Sequence, residues 1–357
     1  MQNKLNVAVV FGGRSGEHEV SLMSATNVIN AMDKSKYNIY TIGITKQGRW
    51  MLYQGPIEKL QDGSWEQEAS KLDSHDLVQL LLSPMLDENQ KGKIDAIFPV
   101  LHGPNGEDGT IQGFFEMLNI PYVGCGVIGS ALGMDKAISK QLFIDAGLNV
   151  ADYVLTYRHE IKDNLQAVIT KIEYKFQYPV FVKPVNMGSS VGITKAHNRD
   201  ELGQGLQEAA KYDRKVLIEE FIEGSEIECA VLGNNYPEAS GAGEIIPSKE
   251  FYDYEAKYFD DGKSTLIIPA RLTPGEEKSI KEAAVKAFKA LDCCGMSRVD
   301  FFLNRSTGKV YINEINTIPG FTKISMYPKL WESAGLGYSK LIDRLIELAL
   351  ERHIETT

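Results

Sequence analysis

Ser297-Arg298-Val299-Asp300-Phe301-Phe302-Leu303 and, after the six residues 304–309, Val310-Tyr311-Ile312-Asn313-Glu314-Ile315-Asn316 carry the strongest local geometry in the chain. Both runs are rich in β-branched and aromatic residues, and the segment between them has turn composition, so a hairpin is expected. A turn centred near Thr307 pairs Asp300 with Glu314 and Arg298 with Asn316. Residues two apart on a strand share a face, so all four side chains project together. Directly opposed carboxylates repel, which calls for a compensating cation. Asp, Glu and Asn oxygens are hard donors suited to Mg²⁺, which commonly bridges nucleotide phosphates. A solvated hairpin face with screened charges is the plainer reading for two carboxylates alone. Arg298, Asn316 and the following Thr317-Ile318-Pro319-Gly320-Phe321 reverse that preference.

Upstream, Lys183-Pro184-Val185-Asn186-Met187-Gly188-Ser189-Ser190-Val191-Gly192 sets a lysine at a strand end before a Gly/Ser loop. Glycines let backbone amides approach phosphate oxygens, and the lysine adds charge. An ordinary hairpin loop is an equal reading. No G-x-x-x-x-G-K-[ST] motif is present; Gly262-Lys263-Ser264 imitates its tail, but residue 257 is lysine where the first glycine belongs. Two further loops follow apolar strands: residues 12–21, with Gly12, Gly13 and Glu19, and residues 101–109, with His102, Glu107 and Asp108. Loops at strand ends are where open α/β sheets bind ligands. Glu19 also reads as a bland helix-start carboxylate.

The surrounding pattern is layered. Strands at 5–11, 37–44 and 94–100 alternate with helices at 21–32 and 110–118, a βαβ rhythm that predicts a parallel sheet with helices on both faces. Residues 51–93 read as a polar insertion. A helix is expected over 129–147, stopped by Gly147. Strands at 178–183, 191–195 and 216–220 with a helix at 200–212 make a small α+β unit. Strands at 227–232, 297–303 and 310–315 follow, with a helix after the capping box Thr273-Pro274-Gly275-Glu276 and a last helix over 338–351.

Composition narrows the function classes. The 357 residues are 43% hydrophobic and 24% charged, with 38 lysines and arginines against 48 aspartates and glutamates, a net charge of −10. Such an acidic chain argues against general nucleic-acid or anionic-membrane binding. No apolar run approaches the ~20 residues of a membrane span, and the N-terminus reads as a strand instead of a signal peptide. Cys125, Cys229, Cys293 and Cys294 form no C-x-x-C pair, which fits inert thiols in a reducing cytosol. The six histidines show no metal-ligand spacing.

In this order, the motifs resemble those of the D-alanine–D-alanine ligases, within the ATP-grasp superfamily. The carrying residues are 12–21, 102–109, Met134-Asp135-Lys136, 183–192, 219–226, 251–258, Arg298-Val299-Asp300 and 313–321, so the resemblance covers almost the whole chain. It implies an α/β, three-domain ATP-grasp architecture. An N-terminal parallel-sheet domain (1–125) binds substrate, and central (126–217) and C-terminal (218–357) α+β domains sandwich ATP. It implies that Lys136 and Lys183 hold nucleotide phosphates, with Ser190 and Lys257 also at the nucleotide. Glu219, Glu220, Phe221 and Ile222 would line the adenine pocket, and Glu226 would meet the ribose hydroxyls. Asp300, Glu314 and Asn316 would ligate two Mg²⁺ ions, with Mn²⁺ as a substitute. Glu19 would bind the ammonium of the first D-alanine, linked by hydrogen bonds to Ser189 and Tyr258. Arg298 and the Gly320 amide would stabilise an oxyanion, and Ser325 would hold the second substrate's carboxylate.

The chemistry follows from these parts. A carboxylate has no usable leaving group until the γ-phosphoryl of ATP makes it an acyl phosphate, which a free amine then attacks. Catalysis is positioning and charge neutralisation. Residues 250–264, polar and rich in tyrosine, suit a lid that excludes water. The reading is therefore ligation of two D-alanines to D-alanyl-D-alanine, with ADP and phosphate released, for peptidoglycan precursor. A cytoplasmic homodimer with no nucleic-acid or membrane partner is expected. A D-alanine–D-lactate ligase is the nearest enzyme rival, ranked lower because Lys257-Tyr258 matches the dipeptide-forming type. A catalytically silent nucleotide-binding protein on the same fold is opposed by the intact Glu19, Arg298, Asp300, Glu314 and Asn316. A dehydrogenase reading lacks the G-x-G-x-x-G fingerprint.

Overall fold

The computed structural model describes residues 4–69, 94–247 and 265–356. The first sheet begins with β1 (Leu5–Gly12), α1 (His18–Ala31), β2 (Tyr37–Ile44) and β3 (Trp50–Tyr53). Two short helices, α2 (Glu58–Gln61) and α3 (Trp65–Ala69), precede β4 (Ala96–Val100) and α4 (Thr110–Met117). The strand order is β3-β2-β1-β4, with β2 and β4 parallel to β1 and β3 an antiparallel edge. Val7 to Phe11 are all fully buried, as a strand covered on both faces must be. Val7, Val9 and Phe11 enter one core, while Ala8 and Val10 enter another with Phe115. Of the expected insertion at 51–93, the described part forms most of β3 and the two short helices, with Trp65 buried. Residues 70–93 lie outside the described residues.

The helix expected over 129–147 is two helices, α5 (Val127–Met134) and α6 (Lys136–Asp145). Asp135 adopts an extended ψ of 95° and caps α6, its carboxylate accepting from the amides of Ala137 and Ile138. An aspartate competes with helix continuation through such local bonds. Gly147, at φ +71°, ends the segment as expected. The second sheet follows: β5 (Tyr153–Tyr157), α7 (Arg158–Lys175), β6 (Val180–Pro184), β7 (Thr194–Ala196), α8 (Arg199–Tyr212) and β8 (Lys215–Glu220). It is antiparallel, in the order β5-β8-β6-β7. Sequence reading did not anticipate β5 and α7. The expected domain limit at 217/218 falls inside β8, whose partners β5 and β6 belong to this sheet.

The third sheet holds β9 (Ser225–Gly233), β10 (Glu238–Ile246), β11 (Thr265–Ile267), β12 (Gly295–Leu303) and β13 (Val310–Asn316), in the antiparallel order β11-β10-β9-β12-β13. Helices α9 (Pro274–Ala290), α10 (Met326–Ser333) and α11 (Tyr338–Thr356) pack on it. The Thr273–Glu276 capping box opens α9, with proline in its first turn. Leu341 and Leu345 of α11 share a core with Val7 and Val9 of β1, which joins the last helix to the first sheet.

The hairpin register is as read from sequence at its functional end: Asp300 faces Glu314 and Arg298 faces Asn316. It slips by one residue beyond that, so Phe301 faces Ile312 and Asn313 is the extra residue of a bulge. Bulges next to active sites re-aim side chains, and here Asn313 and Glu314 both enter the cleft below. On its other edge β12 pairs with β9, which puts Glu228 opposite Asp300. Glu228, Asp300 and Glu314 thus form a row of three carboxylates on one face.

Candidate active site

A cleft lies between the second and third sheets. Alternation along β6 buries Val180 and Val182 in the sheet's core and turns Phe181 and Lys183 the other way, into the cleft. Glu219 of β8 is the cross-strand partner of Phe181 and shares that face. Glu220, Phe221, Ile222 and Glu226 also line the cleft, as does Ser190. The rings of Phe181 and Phe221 stand 6.2 Å apart, and the Lys195 ammonium lies 4.4 Å from the Phe221 ring. The result is a flat apolar slot edged by polar groups, suited to a purine base.

At the inner end, Lys136, the first residue of α6, donates to the Met187 carbonyl at 2.8 Å and lies 3.3 Å from Glu314. Lys183 donates to Asn313 Oδ1 at 3.2 Å and sits 2.5 Å from Glu219. Lys140, one helical turn after Lys136, reaches the other Glu219 oxygen at 2.7 Å. Burial resists charge on Glu219, but the two ammonium groups outweigh it and hold the carboxyl down at about 2. Burial lowers the pKa of Lys140 despite Glu219, whereas Glu219 outweighs burial at Lys183 and raises it.

A second, polar cleft opens between the first and third sheets. Glu17, His102, Glu107, Arg298, Asn316, Gly320 and Ser325 line it. Gly188, Ser189, Glu228, Ile245 and Glu314 line both clefts and mark where they meet. Ser189 and Ser190 have φ of 48° and 60°, a left-handed backbone that costs energy in non-glycine residues and gathers at functional sites.

The carboxylate in this cleft is Glu17 and not Glu19. Helix α1 starts at His18, three residues before the expected start, so Glu19 is inside its first turn and points outward. Glu19 is half exposed and paired with Lys46; burial opposes its ionisation, and the Lys46 ammonium overcomes that and lowers its pKa. Glu17, at the N-cap position, is the buried carboxylate. It accepts the Ser189 hydroxyl hydrogen bond that was expected on Glu19. Two residues along a helix turn by about 200°, so only one of the two glutamates can face the cleft. Tyr258 and Lys257, with the expected lid over 250–264, lie outside the described residues.

Sequence reading also missed Glu107, His102 and Glu228 as members of the site. Burial and the neighbouring Glu17 push the Glu107 carboxyl well above its usual range, against one hydrogen bond from the Gly103 amide at 2.9 Å. Burial likewise lowers the His102 pKa and favours the neutral ring, whose nitrogens meet the Ile318 carbonyl and Ser24 hydroxyl. Both residues sit in the quoted 101–109 loop. Glu228 had a signal too: it is the second charged residue in the β9 run Glu226-Ile227-Glu228, on a strand that otherwise buries every side chain beyond it.

On the hairpin, Arg298 donates through Nε and Nη2 to the two Asp300 oxygens at 2.7 Å each, and its Nε lies 3.0 Å from Glu228. The Asn316 amide donates to Asp300 at 3.0 Å. Asp300, Glu314 and Asn316 offer carboxylate and amide oxygens, hard donors that fit Mg²⁺. Among the described residues no three His, Cys, Asp or Glu side chains gather as a self-sufficient metal site. Two carboxylates and an amide therefore fit a cation that brings phosphate oxygens with it. Ser325 takes hydrogen bonds from the Thr322 amide at 3.0 Å and shares one with its hydroxyl at 2.8 Å, beside Gly320.

Fold and site together define a ligase of the ATP-grasp class, with two antiparallel sheets flanking a lysine-lined cleft that meets a second, polar one. The model for the D-ala D-ala ligase N-terminus matches residues 6–125, and that for the D-ala D-ala ligase C-terminus matches residues 142–347. A D-alanine–D-alanine ligase of Thermoanaerobacter sp. (strain X514) is 58% identical over 354 residues, 99% of this chain and 98% of the relative. One from Geobacillus thermodenitrificans (strain NG80-2) is 52% identical over 99% of this chain and 97% of its own. Among solved structures, the VanG D-Ala:D-Ser ligase from Enterococcus faecalis superposes with a TM-score of 0.84 at 41% identity, covering 97% of this chain and 100% of its own. The D-alanine–D-alanine ligase from Coxiella burnetii gives 0.81 at 37%, covering 99% and 97%. The chain belongs to the D-alanine–D-alanine ligase family.

Proposed function

We propose that this enzyme joins two D-alanines through a D-alanyl phosphate, consuming ATP and releasing D-alanyl-D-alanine, ADP and phosphate, to supply peptidoglycan precursor. The observation that carries this reading is the meeting of the two clefts at Ser189, Glu228 and Glu314. A γ-phosphoryl group in the first cleft and an amino-acid carboxylate in the second would come together there, which is the positioning that phosphoryl transfer needs.

The residues divide the work accordingly. Phe181, Phe221, Ile222 and the 219–220 backbone seat the base, and Glu226 meets the ribose. Lys136 and Lys183 face the phosphates, with Ser190 beside them. Asp300, Glu314 and Asn316 would hold Mg²⁺ or Mn²⁺; when bound, the ions neutralise phosphate charge. Glu17 takes the ammonium of the first D-alanine. Arg298 and the Gly320 amide stabilise the oxyanion formed when the second amine attacks. Ser325 holds the second carboxylate.

Relatives above 50% identity bear the D-alanine–D-alanine name, which favours D-alanine as the second substrate over the D-serine for which the 41%-identical VanG ligase is named. We also place the enzyme in the cytoplasm as a homodimer whose three units divide near 125 and after β8. Among the described residues no helix is long and apolar enough to cross a membrane. Product mass spectrometry with ATP, Mg²⁺ and D-alanine, with and without D-serine or D-lactate, tests the reaction. D-Alanyl-D-alanine is the expected main product; a D-serine or D-lactate product in its place overturns the specificity, and no nucleotide turnover overturns the reading. Light scattering on the eluted enzyme tests the dimer.

A further inference from the structure

Lys140 has no part in the reaction as read above, yet it is the most deeply buried lysine of the site. It is 1% exposed, lies on the cleft-facing side of α6, and does not line the cleft itself. Its place follows from the sequence: Lys136 and Lys140 are four residues apart, one above the other on a helix face. A buried ammonium is costly unless paired with a carboxylate. Lys140 has Glu219 Oε1 at 2.7 Å, but Glu219 Oε2 is already taken by Lys183 at 2.5 Å. One carboxylate thus lies between two ammonium groups, all three nearly closed to solvent, and the trio has a net charge of +1, with Glu314 and Glu226 acting on Lys183 from farther away. Of the two cations only Lys183 faces the cleft.

We propose that Lys140 is a positioning residue for nucleotide phosphate: by neutralising Glu219 from behind, it leaves the charge of Lys183 available to the phosphates. Without Lys140, Glu219 and Lys183 close into a neutral buried pair, and an incoming phosphate must compete with Glu219 for the same ammonium. With it, the surplus charge is built in before the nucleotide arrives. The inference rests on the reading of the first cleft as a nucleotide site. It attributes to Lys140 an effect on phosphate affinity and none on base recognition.

Calorimetric titration of the full-length enzyme with Mg²⁺–ADP and, separately, with adenosine tests this. Lys140→Met is expected to weaken ADP about tenfold or more and leave adenosine nearly unchanged, the kind of loss seen when one member of a buried charge group is removed. Adding Glu219→Gln to Lys140→Met removes the competing carboxylate, so the ratio of ADP to adenosine affinity should return to that of the parent. A general packing role for Lys140 predicts the opposite, with both ligands weakened in the single variant and the double variant no better. Either of those results, or an unchanged ADP affinity, overturns the proposal. If Lys140→Met does not fold, the double variant still decides, because a ratio below the parent's overturns the proposal. A parent enzyme that binds neither ligand would instead overturn the nucleotide reading itself.

Discussion

Ser189 donates its hydroxyl to the Glu17 carboxylate across 172 residues of chain, and this bond latches the loop between β6 and β7 onto the start of α1. Gly188 allows the approach, since a side chain there would bring its Cβ to 3.0 Å from Glu17 Oε2. The loop assigned to nucleotide phosphate is therefore in contact with the carboxylate assigned to the amino-acid ammonium.

Glu17→Gln should weaken first-site D-alanine recognition by about 2–5 kcal/mol while ATP binding changes far less, because one charged partner of a buried ammonium is lost. Glu19→Gln is the matched control. Its pair with Lys46 is about half exposed on both sides, and such pairs contribute about 0–1 kcal/mol. Separate KM values for ATP and D-alanine measure both. Equal sensitivity at the two positions would reject the assignment of Glu17.

The Arg298–Asp300 pair predicts a separation of stability from activity. Asp300→Asn keeps the shape of the side chain and removes one charge from the row Glu228–Asp300–Glu314, so the fold should survive. Phosphoryl transfer should fall by orders of magnitude, since a hard anionic donor is gone. Arg298→Ala should spare nucleotide binding more than ligation, with a loss of about 3 kcal/mol or more in transition-state stabilisation. Thermal unfolding, ADP titration and product formation on both variants check this. An Asp300→Asn enzyme active at ordinary Mg²⁺ would remove the metal assignment.

Acid should weaken the third sheet through Glu244. Arg271 holds this buried carboxylate in hydrogen bonds at 2.8 and 3.0 Å, Arg305 adds another at 3.1 Å, and its pKa falls from 4.5 to about 2. The folded value lies below the unfolded one, so the stability gained is complete above about pH 4.5 and is lost as pH falls toward 2. Glu219 titrates with the same sign. Glu244→Gln should cost about 1.5–3 kcal/mol at pH 7 and flatten the decline between pH 4.5 and 2. Urea unfolding across that range measures it; parallel curves for parent and variant would assign the shift to other groups.

Much of this was legible in the sequence, for physical reasons that differ by element. Placing the turn of 297–316 near Thr307 gave the pairing of Asp300 with Glu314, and the period of two put both on one face. The bulge at Asn313 was not legible, since an extra residue in a strand leaves no compositional mark. β1 announced itself by its unbroken apolar run Val7–Phe11, but the Asp135 break did not. Val127 to Asp145 is apolar enough to read as one helix, and only the local bonds of the aspartate divide it. Glu17 and Glu19 were indistinguishable as residue types. Their difference depends on where α1 begins, and helix starts are set by the packing of the first turn more than by propensity. Lys140 was visible only once β8 brought Glu219 over α6, a contact between residues 79 apart.

Gly320 gives the last prediction. Its position has no left-handed backbone to protect, so backbone conformation alone would admit alanine. A Cβ there would stand 2.7 Å from Ser325 Oγ, closer than such atoms pack. The hydroxyl cannot yield freely, because the Thr322 amide and hydroxyl hold it at 3.0 and 2.8 Å. Gly320→Ala should therefore shift the Ser325 side chain and the loop whose amide is assigned to the oxyanion, at a stability cost of about 1–3 kcal/mol for the overpacking. The kinetic signature follows from the assigned roles. KM for D-alanine at the second site should rise and kcat should fall, while nucleotide affinity, set on the far side of Glu314, stays near the parent value. Ser325→Ala relieves the clash, so Gly320→Ala/Ser325→Ala should regain the lost stability and remain impaired at the second site. Thermal unfolding and two-substrate kinetics on the single and double variants check both halves. A double variant that recovers second-site KM along with stability would show that Ser325 does not hold the second carboxylate.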